Sequence, residues 1–234
     1  MGLPSVPRSP ANLLISSATS GTRTETVTAG ESAFVIAGIL SGGSSPSVSG
    51  AGGTWTQILA QSDGTRSVVV FRGTGLSTGS QTVTLSFSNT TTCRWSWVAA
   101  TGISTTTPDS ASDYLATASS ARTSTDSSSA GITTATNVLG VIVQAHSATL
   151  AGTIAAPSGW TRITTSTGTS IMLAYIASSS AFSSQKGTVT YSSTTSAAMG
   201  GIAAFNGDDQ AVGQPFVKRW GGVPHFGGRS LRRW

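Results

Sequence analysis

Gln81-Thr-Val-Thr-Leu-Ser-Phe-Ser88 alternates polar and apolar residues without a break. Val83, Leu85 and Phe87 share one face, and Thr82, Thr84, Ser86 and Ser88 share the other. A period of two marks a strand with one buried face. Either side of this stretch the same language continues. Val68–Phe71 and Val138–Val143 are continuous apolar runs rich in β-branched residues, the pattern of strands buried on both faces. Ten strands are expected, near 33–40, 54–60, 67–73, 81–88 and 94–101, then near 137–146, 159–165, 170–177, 187–192 and 198–206, with an extra edge strand near Thr22–Thr28. Gly/Ser/Thr clusters at Ser41–Gly53, Gly73–Ser80 and Ser178–Ser184 read as loops.

Composition agrees. Charged residues are 9% of the 234, against roughly 25% in ordinary soluble domains. Strong helix formers are scarce, with two Lys, two Glu and three Met, whereas Thr and Val suit a pleated, half-buried surface. Apolar content of 38% is enough for a core. The fold class expected is all-β.

The body reads as two related halves offset by about 105 residues. Trp55-Thr-Gln-Ile58 recurs as Trp160-Thr-Arg-Ile163. Val68–Phe71 matches Ile171–Tyr175, Thr82–Leu85 matches Thr188–Tyr191, and Trp97–Gly102 lines up with Ile202–Gly207. The period is too long for a solenoid or propeller. Either half alone would expose an apolar face, so the expectation is one jelly-roll-like two-sheet β-sandwich with a single interior. Residues 1–11, with Pro4, Pro7 and Pro10, form an N-terminal extension. The sandwich spans 12–208, with halves at about 22–103 and 132–208, and Ser104–Thr136 crosses between them as a strand plus loop.

Residues 1–208 hold eight Lys/Arg and seven Asp/Glu, whereas 209–234 hold five cations and Asp209 alone. The positive charge therefore collects in an extended C-terminal arm, where Phe216, Lys218, Arg219, Trp220, Phe226, Arg229, Arg232, Arg233 and Trp234 alternate with glycine pairs and proline. Gly221-Gly222, Pro224 and Gly227-Gly228 forbid a stable helix or a long strand there. Arginine gives bidentate and stacking contacts to a partner, and such a segment orders when it docks. A nucleic-acid partner is disfavoured because the body offers no basic face to extend the footprint, so the expected partner is protein.

Catalytic chemistry is hard to assemble from these residues. Cys93 is the lone cysteine and reads as a small buried apolar residue. His146 and His225 lie in unrelated contexts, and no spacing suits a metal or any other cofactor. Asp63, Asp109, Asp113 and Asp126 sit in turn-like surroundings and read as turn caps; Asp208-Asp209 reads as a solvated turn. No Gly-x-Ser-x-Gly elbow follows a strand and opens a helix. An enzyme is not expected, and a hydrolase built on a body Asp is the weakest reading. Trp55 and Trp160 occupy equivalent positions and read as packing residues. Trp95 and Trp97 share one strand face, where they either fill the core or stack on sugar rings. Leu13-Leu14-Ile15 is too short for a leader core and Phe34–Leu40 too short to span a bilayer, so neither conventional export nor a membrane is expected.

Gly53-Thr-Trp-Thr56 and Gly159-Trp-Thr161, each followed by a turn, an apolar strand and a closing Ala-rich strand, resemble a family of β-sandwich structural proteins of tailed bacteriophages. Lys218-Arg-Trp-Gly-Gly-Val-Pro224 is similar to C-terminal arms of phage virion proteins. The resemblance covers most of residues 12–208 and implies a non-enzymatic virion protein. It implies a head decoration or tail component, present in many copies as a homo-oligomer, with a trimer by analogy, its arm gripping other virion subunits. The rival reading is a receptor- or carbohydrate-binding module that recognises a host-surface glycan through Trp95 and Trp97 or through loop aromatics.

Overall fold

The computed structural model describes residues 3–42, 45–105, 110–116, 122–125, 127, 130–146, 154–164, 170–195 and 198–208. Every helix or strand among them is a strand. In chain order they are β1 (Leu13–Val27), β2 (Ser32–Ser41), β3 (Ser47–Gly50), β4 (Thr54–Ser62), β5 (Ser67–Thr74), β6 (Gly79–Ala100), β7 (Ser110–Ala116), β8 (Arg122–Thr125), β9 (Val138–His146), β10 (Ile154–Ala155), β11 (Thr161–Arg162), β12 (Ile171–Ser178), β13 (Val189–Thr195) and β14 (Ala198–Asn206). All named pairings are antiparallel. The chain is an all-β protein of stacked antiparallel sheets, with the architecture of a β-sandwich.

One sheet runs β1-β6-β2-β5-β4, with β3 also on β6; a second runs β11-β12-β9-β14-β7; a third, smaller one runs β10-β13-β8. The first two lie face to face. Phe34, Ile36, Val68, Val70 and Val98 from one meet Leu139, Val141, Val143, Ile171, Leu173 and Phe205 from the other in a shared interior. Phe34 and Phe205 stack across it with ring centroids 4.4 Å apart.

The expected single interior is corrected to three clusters among the described residues. Strands in the middle of each large sheet are apolar on both faces, so each sheet has an outer face that also needs cover. On the second sheet, β13 supplies Val189 and Tyr191 to a separate cluster with Ile142, Met172 and Ile202. On the first, the cover comes from the same chain segment. The expected strands at 81–88 and 94–101 are one 22-residue strand, β6. Its early residues Val83, Leu85 and Phe87 join its late residues Cys93, Trp95 and Trp97 in one buried cluster, so the strand folds over its own sheet. The partner β1 breaks register twice, between Ser16 and Ala18 and between Ala18 and Ser20, with Ser17 at φ 51°. Bulges of this kind bend a strand sharply. At the fold Gly21 lies so close to Ile15 that an added Cβ would stand 2.6 Å from its Cγ1.

The N-terminal extension is tied down. Ser5 and Thr101 exchange backbone hydrogen bonds of 3.1 and 2.9 Å. Arg8 grips Glu31 with both Nη atoms, at 2.8 and 2.7 Å.

Candidate functional site

Trp95 and Trp97 are 1% and 3% exposed. Both belong to the cluster between the first sheet and its folded-over cover, because odd-numbered residues of β6 point there. The core-filling role holds, and the ligand-facing role is corrected: neither ring can reach a sugar. Trp55 and Trp160 are half-buried packing residues. Trp55 donates Nε1–H to the Gly50 carbonyl at 3.0 Å and its ring lies where a Cβ on Gly73 would be. Trp160 covers Gly140 in the same manner and sits 5.9 Å from the Phe182 ring.

Several charged groups of the body are turned to internal use. The Glu31 side chain has no exposed surface and accepts from Arg8, from the Thr28 N–H at 3.0 Å and from the Thr28 hydroxyl at 2.7 Å. Burial alone would raise its carboxyl, but these donors outweigh it and hold the group below its ordinary value. Arg23 pairs with Glu25 at 2.7 Å. Asp63 caps its turn as expected, accepting the N–H groups of Thr65 and Arg66 at 2.9 and 2.7 Å, and pairs with the Arg66 guanidinium. Burial opposes ionisation of Asp63, yet those donors keep its carboxyl below the usual range. Arg72 enters the shared interior, donates to the Ser104 carbonyl and lies 5.4 Å over the Phe205 ring; burial lowers its guanidinium. Cys93 is buried, which pushes its thiol up to about 12 despite a backbone hydrogen bond from Ile15. Among the described residues no three His, Cys, Asp or Glu side chains stand close enough to share a metal ion.

A polar cluster sits in the second half's own core. Even-numbered residues of β9 point there with Val138 and Ile142, and the strand's last two are Gln144 and His146, both fully buried. Gln144 donates Nε2–H to the Tyr191 hydroxyl at 3.1 Å, and His146 meets the Tyr191 ring edge-on at 4.7 Å. Among the described residues the His146 ring nitrogens and Gln144 Oε1 have no hydrogen-bond partner. Burial first, then the nearby Arg66 and Arg162 guanidiniums, push the imidazole down to about 3. It is a neutral ring at neutral pH. Sequence reading placed His146 at the end of an apolar strand; the shared parity of 144 and 146 was the available sign of the cluster.

Asp113 was expected to cap a turn and instead stands on β7, opposite Gly201 of β14. β4 and β7 are the terminal strands of the two large sheets, and they lie near one another at one side of the sandwich. Between them opens a cleft of about 390 Å³ lined by Ile58, Leu59, Ala60, Ala111, Ser112 and Asp113. β4 slips register between Gln57 and Leu59, which places the extra residue, Ile58, in the cleft. No pattern in the sequence pairs these two triplets, since they meet only through stacking of the sheets. The arm residues Phe216, Lys218, Arg219, Trp220, Phe226, Arg229, Arg232, Arg233 and Trp234 lie outside the described residues, as do Asp109 and Asp126 of the expected turn caps.

Comparisons with protein-family models, with curated proteins and with solved structures find no match for this chain.

Proposed function

We propose that this chain is a non-enzymatic structural component of a tailed-phage particle, a head decoration or tail protein, which docks on neighbouring virion subunits through residues 209–234. The observation that carries this reading is how charge is distributed. Glu25, Glu31 and Asp63 are all engaged in ion pairs within the body, whereas five cations face one acid in the last twenty-six residues. A body whose Glu25, Glu31 and Asp63 are paired internally, with a terminus rich in Arg and aromatic residues, suits a subunit that adheres by its end. The outer layer agrees: Ser47, Ser49, Thr22, Thr24, Thr26 and Thr82 form an exposed, uncharged hydroxyl face, with little to attract unwanted partners. The glycan-binding alternative loses its Trp95 and Trp97 route, since both rings are inside.

The same proposal takes the body as a jelly-roll-like sandwich built from two duplicated halves, and strand pairing supports the duplication. Val35 pairs with Phe71 on one side and Trp97 on the other; Ile142, at the matching place, pairs with Ala174 and Ile202. Val48 opposite Leu85 is answered by Ile154 opposite Tyr191. Thr22 opposite Thr84 is answered by Ser124 opposite Thr190. In these terms the two arms of β1 correspond to β7 and β8, and the two arms of β6 to β13 and β14.

The test is truncation after Gly213 in a phage that encodes the chain. The shortened protein should fold, with an unchanged far-ultraviolet spectrum, but its copies per purified particle, counted by mass spectrometry, should fall to background. Normal incorporation would refute docking through the arm.

A further inference from the structure

We propose that the cleft between β4 and β7 is the resting berth of this chain's own C-terminal arm, which lays Phe216–Trp220 along it as an extended peptide. The inference rests on reading 209–234 as a docking arm and adds where on the body that arm first goes.

Three features of the cleft select such an occupant. Among the described residues its walls are two three-residue stretches, Ile58-Leu59-Ala60 and Ala111-Ser112-Asp113, from strands that each have one edge without a strand partner there. A free edge offers backbone N–H and C=O groups to an extended peptide. The bulged Ile58, half-buried, supplies apolar contact for an aromatic ring. Asp113, half-buried and in no ion pair among the described residues, supplies a carboxylate for a cation. Phe216, Lys218, Arg219 and Trp220 provide the complementary groups within one short stretch.

The exit point of the chain sets the register. β14 leads to Asp208, whose N–H bonds the Gly102 carbonyl at 2.7 Å, and Gly201 of β14 pairs with Asp113. Asp208 is therefore seven residues past the level of Asp113, or about 23 Å at ~3.3 Å per residue. A chain that turns back just after Asp208 comes level with Asp113 at Phe216 to Arg219. Tethering favours the chain's own arm over a second copy's, because a short linker gives an effective concentration on the order of millimolar. In the free protein the berth then holds the arm until a neighbouring subunit draws it away.

Disulfide trapping in the full-length chain tests this. Asp113→Cys combined with Lys218→Cys should form an intrachain bond, seen as a faster monomer band without reductant. It should form on the order of tenfold faster than a control pair, Ser49→Cys with Lys218→Cys, as expected from local concentration; buried Cys93 stays silent. Ala111→Cys, at an exposed position in the same cleft, repeats the measurement if Asp113→Cys perturbs folding. Trapping no faster than the control overturns the berth, and so does a bond formed only between chains, which would give the cleft to a second copy. Incorporation of the truncated chain into particles is scored separately. Lost incorporation without trapping leaves the docking arm standing and removes the berth; trapping with normal incorporation does the reverse.

Discussion

Gly38 of β2 faces Ile171 of β12 across the shared interior so closely that an added Cβ would stand 2.6 Å from Ile171 Cγ2. Leu59 and Gly201 make the equivalent approach elsewhere between the same two sheets, with Leu59 Cδ1 2.9 Å from the corresponding point. The sheets are thus held together by large residues of one sheet seated on glycines of the other. Gly38→Ala should destabilise the protein by about 1–3 kcal/mol through overpacking. Adding Ile171→Ala, which removes the obstructing Cγ2 and Cγ1, should make the double variant less destabilised than the sum of the two single losses. Urea unfolding of the two single variants and the double variant measures the coupling, and strictly additive effects would mean that the two residues do not meet as described.

Much of the strand layout could be read from periodicity because burial imposes it locally. Val83, Leu85 and Phe87 alternate since β6 has one dry face there, and Val138–Val143 runs unbroken since β9 has two. What periodicity could not give was the fold-over of β6. The polar stretch around Asn89 looks like a loop, but Ser17 and the two bulges of β1 let the pair bend while remaining hydrogen-bonded. Misreading that bend is also what left Trp95 and Trp97 open to a ligand role, for the cover over their face is the first arm of their own strand. Arg8 and Glu31, or Ile58 and Asp113, become neighbours only through tertiary contacts that no local pattern encodes.

Stability should fall as the medium is acidified from mild pH, and His146 sets the window. Its ordinary value of 6.5 is depressed to about 3 in the folded protein. The unfolded chain therefore takes up a proton below 6.5 that the folded chain refuses until about 3. The stability held by the neutral ring is complete above 6.5 and drains away as pH falls through that interval, by at most about 1.4 kcal/mol per pH unit. Glu31 and Asp63, held below their ordinary 4.5 and 3.8, begin to lose their contributions only below those values. Between 6.5 and 4.5 the slope belongs to His146. Chemical denaturation across that range should show it in the parent and in His225→Gln, and a flat line in His146→Phe. A persisting slope in the latter would assign it to another group.

Arg8→Ala should loosen the N-terminal strap. Glu31 would keep its Thr28 donors but lose two charge-assisted bonds in a place with no exposed surface. Leaving a buried carboxylate short of partners costs about 1–3 kcal/mol. Glu31→Gln in the Arg8→Ala background removes the stranded charge and should recover part of the loss. Hydrogen exchange at Ser5 and Thr101, which depend on the strap, should quicken before exchange in β2 or β9. Uniform acceleration across the sheets would show that the strap is not a separate unit.

Cys93 should be silent toward thiol reagents until the protein unfolds. Its thiol, ordinarily near 9.0, is pushed up to about 12 because the side chain lies in the cluster with Trp95, Ile15 and Leu85. Only thiolate reacts, so at about pH 8 the folded form presents roughly 10³-fold less of the nucleophile than an ordinary thiol, before access is considered. Modification by an aromatic disulfide reagent should therefore be at least on the order of 10³-fold slower in buffer than in concentrated urea. With urea increased in small steps, its rate should follow the unfolding equilibrium measured by tryptophan fluorescence. Rapid labelling of the folded protein would place Cys93 at a surface, and with it would fall the fold-over of β6 that buries it.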